Sequence, residues 1–228
     1  MMEDKNIFDT EKSTVQQEPK NRPIILLDID DTIAAFGPFY WNLHNTVFGD
    51  NVNYLDVIDW DLDKFSKRGP DAYKLFKYPG LFRNLPPMPY AKEFVEELRK
   101  IGEVIVVSDS PSGTSYKETV NIDCIDKEHK IEFPHSNPAD DKREWLKEHF
   151  NFKKEDIIFT SRKELVMGNI LIDDKPATYE KFKKLNRNII LMDAPYNQHI
   201  QTDWRAKDLN QAIEMVYAMI EEMGELAS

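Results

Sequence analysis

The stretch Ile24-Ile25-Leu26-Leu27-Asp28-Ile29-Asp30-Asp31-Thr32 climbs through four apolar residues straight into three carboxylates. A run apolar at every position reads as a parallel strand buried on both faces, whereas a half-exposed strand would alternate. The acids at its end lose water as the chain packs, so something must compensate their charge. The position of the acids, at the carboxyl end of a candidate central strand, makes this stretch the key to the rest of the sequence.

Similar runs follow at 103–108 (EVIVVS), 157–160 (IIFT), 169–173 (NILID) and 188–192 (NIILM), with the first strand taken as 24–29. Between them lie amphipathic patterns: YAKEFVEELRKIG at 90–102, PADDKREWLKEHF at 138–150 and PATYEKFKKL at 176–185. The alternation of strand and helix predicts an α/β fold with a doubly wound, Rossmann-like parallel sheet. The late stretch LNQAIEMVYAMIEEM repeats its apolar residues at helical spacing and reads as a covering helix. Between the first strand and the first crossover helix the chain spends far more residues than a βα loop needs. Segment 36–86, rich in aromatics and proline, is therefore expected to be a small, mainly helical cap inserted after the first strand. The expected organisation is a mobile polar tail over 1–22, an α/β core from 23–35 and 87–228, and the cap over 36–86.

The chain has 228 residues, 41% of them hydrophobic, enough for one sizeable core. Its single cysteine, Cys124, rules out an internal disulfide, and no apolar run approaches the roughly 20 residues that cross a bilayer. The opening residues lack the apolar centre of a signal peptide, so a cytoplasmic location away from membranes is expected. A formal charge of −11 argues against a nucleic-acid polymer as partner, because such binding is mainly phosphate neutralisation by Lys and Arg. Monomer and homodimer are both compatible with the sequence.

Ligands of open parallel sheets sit beyond the carboxyl ends of the strands. Collected there are Asp28, Asp30 and Thr32; then Ser108, Asp109 and Ser110; then Thr160, Ser161, Arg162 and Lys163; and finally Asp173, Asp174 and Lys175. Carboxylates from two strands offer hard oxygen ligands suited to Mg²⁺, which binds through one or two carboxylates together with a substrate phosphate. With the DxD spacing, Asp28 can attack phosphorus while Asp30 acts as general acid, then as base for water. Phe36, Trp60 and Phe76 are the cap aromatics placed to meet a flat leaving group, with packing into the core as the alternative reading. His44, His135 and Cys124 form no recognisable triad.

DIDDTIAAF, PMPYAKEFVEELRK, VVSDSP, KREWLKEHF and IIFTSRKELVMGNILIDDK, in this order, resemble the haloacid dehalogenase superfamily of phosphatases, and within it the C-type 5′-nucleotidases, the 5′(3′)-deoxyribonucleotidases. The resemblance spans roughly residues 24 to 192. It implies hydrolysis of (deoxy)nucleoside monophosphates through an aspartyl-phosphate with Mg²⁺ as cofactor. It further implies Asp28 and Asp174 as side-chain metal ligands, Asp30 contributing its backbone carbonyl, and Asp173 as an additional candidate. Ser108 would hold a phosphate oxygen, with Asp109 and Ser110 beside it, and Lys142 and Lys163 would supply positive charge. Phe76 stands at a family-like spacing before PMPYA. Two positions depart from the pattern: Asp31 stands where relatives commonly carry Gly, and Ser108-Asp109-Ser110-Pro111 stands where they commonly read Thr-Ser-Pro. The same motifs serve sugar phosphatases. Readings from other classes are a receiver-like phosphoacceptor, which lacks the DxD and the long insertion, and a non-catalytic binding module.

Overall fold

The structure, a computed structural model, describes residues 22–227 apart from 115–117, 125–126 and 134–136. The expected tail, save for Arg22, and His135 lie outside the described residues. Six parallel strands make the main sheet: β1 (Ile24–Leu27), β2 (Glu103–Ser108), β5 (Ile157–Phe159), β6 (Ile170–Asp173), β7 (Asn188–Met192) and the short β8 (Arg205–Ala206). Their order is β5-β2-β1-β6-β7-β8, with β1 between β2 and β6. A separate antiparallel hairpin joins β3 (Glu118–Cys124) to β4 (Lys127–Phe133).

The continuous apolar runs are explained by two cores. Ile25, Leu27, Val104, Val106, Ile170, Ile172 and Ile190 face one, while Leu26, Val107, Leu171, Ile189 and Leu191 face the other. Successive residues of a strand point to opposite faces, so both sets must be apolar when both faces are covered. Helices α2 (Ala91–Ile101), α3 (Pro138–Phe150) and α5 (Leu209–Ala227) supply the first core, and α4 (Pro176–Lys184) the second. Each fully buried Leu or Ile contributes roughly 1.5–3 kcal/mol, which fixes the register of β1.

The strands are shorter than the runs. The first ends at Leu27 rather than Ile29, because the chain turns: the N–H groups of Thr32, Ile33 and Ala34 all donate to the Ile29 carbonyl. That turn places Asp31 at φ 49°, the left-handed region, which accounts for Gly being common there and for Asp, with its short polar side chain, being tolerated.

Segment 36–86 contains α1 (Phe36–Phe48) and three 3₁₀ turns (Tyr54–Asp56, Leu62–Lys64, Gly69–Lys77) around their own cluster of Tyr40, Trp41, Phe48, Val57 and Leu75. Its ends lie side by side, for the Ala35 N–H donates to the Pro86 carbonyl at 2.8 Å and the Met88 N–H to the Ile33 carbonyl at 2.8 Å. Leu81, Phe82 and Leu85, near the end of the segment, pack into the main core. Asn137 caps α3 through the Asp140 N–H, Pro138 fits its first turn, and Asn151 ends it in the left-handed conformation. Its inward face presents Lys142, Trp145, Leu146 and Phe150, and the Trp145 indole N–H donates to the Leu85 carbonyl at 2.7 Å, locking α3 beneath the end of segment 36–86. Among the described residues no helix is long and apolar enough to cross a membrane.

Candidate active site

The carboxyl ends of β1, β2 and β6 meet at the centre of the sheet. Asp28, Asp173 and Asp174 each offer a carboxylate oxygen, these atoms lying within 4.8 Å of one another. Three buried acids at this separation repel unless a positive charge joins them. Lys163, in the turn after β5 and only 4% exposed, provides part of it: its Nζ lies 2.7 Å from Asp28 Oδ2 and 2.5 Å from Asp173 Oδ2. Asp173 Oδ1 accepts the Lys175 backbone N–H at 2.8 Å, so both oxygens of Asp173 have protein partners.

Asp28 Oδ1 and Asp174 Oδ1 are different. Both are buried and neither has a hydrogen-bond partner in the protein, a state that a bound cation relieves. An all-oxygen donor set of this kind fits a hard divalent ion, with Asp28 and Asp174 as the ligands left over once Lys163 and the Lys175 N–H have claimed Asp173. Burial raises the carboxyls of Asp173, to about 6, and of Asp174, well above the usual range. For Asp173 Lys163 opposes the rise, while for Asp174 the neighbouring acids add to it. A cation at this point favours the ionised forms.

Lys142 compensates the second acid of the DxD. Buried on α3, its Nζ donates to Asp30 Oδ2 at 2.6 Å, to the Asp109 carbonyl at 2.6 Å and to Ser108 Oγ at 3.4 Å, and lies over the Phe82 ring. Asp30 Oδ1 is buried without a partner. Burial raises the Asp30 carboxyl above its ordinary range; Lys142 pulls it down and Asp28 pushes it up. Ser108 is buried at the end of β2, and Ser110 Oγ is buried without a partner. The exposed Asp109 turns its carboxylate back onto its own loop, where Oδ1 accepts the Ser110 N–H at 2.8 Å.

Above these acids opens a cavity of about 290 Å³, lined by Asp30, Asp31, Asp109, Asp174 and Lys175 and by the aromatics Phe36, Tyr54, Trp60, Tyr73, Phe76 and Phe82. All three aromatics of segment 36–86 singled out in the sequence reach it, in unequal ways. Phe36 stacks on Phe82 and Tyr40 and packs against both the first sheet core and the cluster of segment 36–86; Phe76 meets Phe36, Tyr40 and Phe82 edge-on. Trp60, 41% exposed, stands at the mouth with the Lys175 ammonium over its ring at 4.7 Å. Lys175 thus meets an aromatic face. Arg162 is exposed and pairs with Glu164, and His44 is buried within segment 36–86 with Nε2 2.8 Å from Ser66 Oγ.

Two tyrosines that meet these acids lie outside the sequence reading. Tyr54, from segment 36–86, approaches Asp31, and Tyr196, from the 3₁₀ turn after β7 (Pro195–Asn197), approaches both Asp31 and Asp174. Asp31 Oδ1 accepts the Gly37 N–H at 2.7 Å, and Oδ2 lies 3.3 Å from the Tyr54 hydroxyl and 3.1 Å from that of Tyr196. Burial pushes the Asp31 carboxyl up to about 7 against these hydrogen bonds. The rule of collecting residues beyond strand ends, extended past Met192 into DAPYN, reaches Tyr196; no pattern in the sequence marks Tyr54.

The family described as 5′-nucleotidase, deoxy (pyrimidine), cytosolic type C protein matches residues 22–221. A 5′(3′)-deoxyribonucleotidase of Clostridium acetobutylicum is 32% identical over 195 residues, 84% of this chain and 93% of its own. Among solved structures, an L-2-haloacid dehalogenase is matched over 86% of this chain and 100% of its own at 11% identity and a TM-score of 0.45. A haloacid dehalogenase-like family hydrolase from Xanthomonas campestris is matched over 89% of this chain and 98% of its own, at 12% identity and a TM-score of 0.42. The protein is a hydrolase of phosphoric monoesters. It belongs to the family of cytosolic type C 5′-nucleotidases.

Proposed function

We propose that the protein is a Mg²⁺-dependent phosphatase of deoxynucleoside monophosphates acting in the cytoplasm, with Asp28 as nucleophile and Asp30 as general acid and base. The observation that carries this reading is the pairing of partnerless buried oxygens on Asp28 and Asp174 with two buried lysines, at the floor of an aromatic-lined cavity. The family and the deoxyribonucleotidase relative support the nucleotide as substrate.

In the first step a carboxylate oxygen of Asp28 forms a bond to phosphorus as the bond to the ester oxygen breaks. Asp30 gives its proton to the departing alkoxide, leaving the nucleoside and an aspartyl-phosphate. Burial of Asp30, which raises its carboxyl, favours the proton-carrying form that this step requires. In the second step the Asp30 carboxylate takes a proton from water, the water oxygen bonds to phosphorus, and the bond to Asp28 breaks to release phosphate. Lys163 holds one oxygen of Asp28 in place, and Lys142 orients Asp30 together with the Ser108 loop. Ser108 and Ser110 are positioned to donate hydroxyls to phosphate oxygens. Asp28 and Asp174 would hold Mg²⁺, with the Asp30 carbonyl as a further ligand, and the ion would supply positive charge against the phosphoryl oxygens. Phe36, Trp60 and Phe76 would receive the base.

The test is phosphate release from deoxynucleoside, ribonucleoside and sugar monophosphates with and without Mg²⁺, alongside Asp28→Asn. Deoxynucleotide turnover that needs Mg²⁺ and vanishes in Asp28→Asn is expected. A preference for sugar phosphates, turnover that persists in excess chelator, or an active Asp28→Asn overturns the corresponding part of the proposal.

A further inference from the structure

Asp174 is gripped at two points by one short turn. Asn197, fully buried, donates from Nδ2 to the Asp174 carbonyl at 2.8 Å and to the Met192 carbonyl at 2.7 Å. Its Oδ1 accepts from the Ala194 N–H at 3.2 Å and from Arg205 at 2.6 Å, and Arg205 also donates to the Asn197 and Ile200 carbonyls. Every polar atom of the Asn197 side chain is therefore used, and the turn is fixed against both β6 and β8. The residue before it, Tyr196, points its hydroxyl at Asp174 Oδ2.

A phenol carries one proton, and Tyr196 has two acidic neighbours, Asp174 Oδ2 and Asp31 Oδ2. Asp31 Oδ2 is also reached by the Tyr54 hydroxyl at 3.3 Å, and Asp31 Oδ1 is taken by the Gly37 N–H. With Tyr54 serving Asp31, the Tyr196 proton is free to go to Asp174. This occupies one oxygen of that carboxylate and leaves Oδ1, buried and partnerless, as the one presented to a cation. The ring is held as well, edge-on to Trp60 at a centroid distance of 5.0 Å.

From this arrangement we infer that Tyr196 is a positioning residue for the cation ligand Asp174, with Asp31 and Tyr54 setting the direction of its hydroxyl. The inference rests on Asp174 being a cation ligand, as proposed above. Partners of ligating carboxylates fix the ligand's orientation, and their loss typically lowers metal affinity about 10–100-fold.

The experiment is calorimetric titration of the full-length protein with Mg²⁺ and Mn²⁺, comparing wild type, Asp174→Asn and Tyr196→Phe. The substitution keeps the ring against Trp60 and removes only the hydroxyl. Tyr196→Phe is expected to bind the cation about tenfold or more weakly, while its chelator-treated form melts close to wild type. Its phosphatase activity should be low at limiting Mg²⁺ and recover at saturating Mg²⁺, a rescue that a merely distorted fold would not show. Should Tyr196→Phe fail to fold, Tyr54→Phe, which takes away the donor that serves Asp31 and so draws the Tyr196 proton from Asp174 towards Asp31, should bind the cation more weakly than wild type. Wild-type affinity in Tyr196→Phe, or in Tyr54→Phe where that variant decides, overturns the inference alone. A wild type that binds no cation, or an Asp174→Asn that binds as well as wild type, overturns the ligand reading and the inference with it.

Discussion

Replacing Lys163 with Met isolates the charge that holds the acidic centre together, because the methionine chain keeps much of the buried stem and loses only the ammonium. In the wild type that ammonium is within 2.7 Å of Asp28 and 2.5 Å of Asp173, both side chains at most 8% exposed. Removing one partner of a buried ion pair leaves uncompensated charge and costs about 3–5 kcal/mol. For a chain of this size each kcal/mol moves the melting temperature by about 2–4 °C, so a fall on the order of 10 °C in chelator is expected. The loss should shrink as pH is lowered towards 5, since Asp173, whose carboxyl burial pushes up to about 6, then takes up a proton instead of remaining charged. Added Mg²⁺ should raise the variant's Tm more than the wild type's, the ion replacing part of the missing charge. Thermal unfolding with and without Mg²⁺ at several pH values measures all three effects. A variant that melts within about 1 °C of wild type in chelator at neutral pH would refute the assignment of Lys163 as the counter-charge.

The other expectations concern segment 36–86. In Gly37→Ala the new Cβ would lie 2.1 Å from the Tyr54 ring and 2.8 Å from Asp31 Oδ2, so Tyr54 must leave Asp31; denaturant titration should show a loss of about 1–3 kcal/mol, and an unchanged midpoint would disprove the contact. Burial lowers the His44 pKa below its ordinary 6.5, so the unfolded chain binds more protons and stability should fall as pH drops through 6.5 towards the folded value; His44→Gln should flatten that slope, and equal slopes would count against it. Trp60→Ala should raise KM for deoxynucleotides about tenfold, from stacking worth about 1–3 kcal/mol, and leave glycerol phosphate hydrolysis unchanged. Phe36→Ala, by contrast, should cost stability first, about 3–5 kcal/mol in denaturant titration, because its ring joins two packed clusters; a wild-type midpoint would place it outside them.

The parallel sheet is legible in the sequence because burial on both faces demands unbroken apolar runs such as IILL and NIILM, and few other structures do. The hairpin of β3 and β4 is not, for ETVNIDC and KEHKIEF mix polar and apolar residues, and a search for unbroken runs has no rule for them. The strand-end residues Asp28, Asp30, Ser108, Lys163 and Asp174 converge on one place because topology dictates it. Lys142 does so because helix periodicity puts it on the same face as Trp145 and Leu146. Both tyrosines sit in 3₁₀ turns; Tyr196, just past β7, stands where the strand-end rule extends, whereas the way Tyr54 folds back onto Asp31 is not encoded locally. Asp31 is informative in hindsight, as a residue placed where the backbone favours glycine has to be repaid by contacts, and here it makes three.

The central place of β1 has a consequence for how the protein comes into being. Although β1 emerges from the ribosome well before β6, β6 is one of its two neighbours in the sheet, and Ile25 pairs with Ile170. At about 5–20 residues per second, the nascent chain carries Asp28 for roughly seven to thirty seconds before both Lys163 and Asp174 exist to meet it. Contacts this distant in sequence also make folding slow. The site therefore assembles only after Asp174 has been made, and until then the aspartates near β1 stay hydrated.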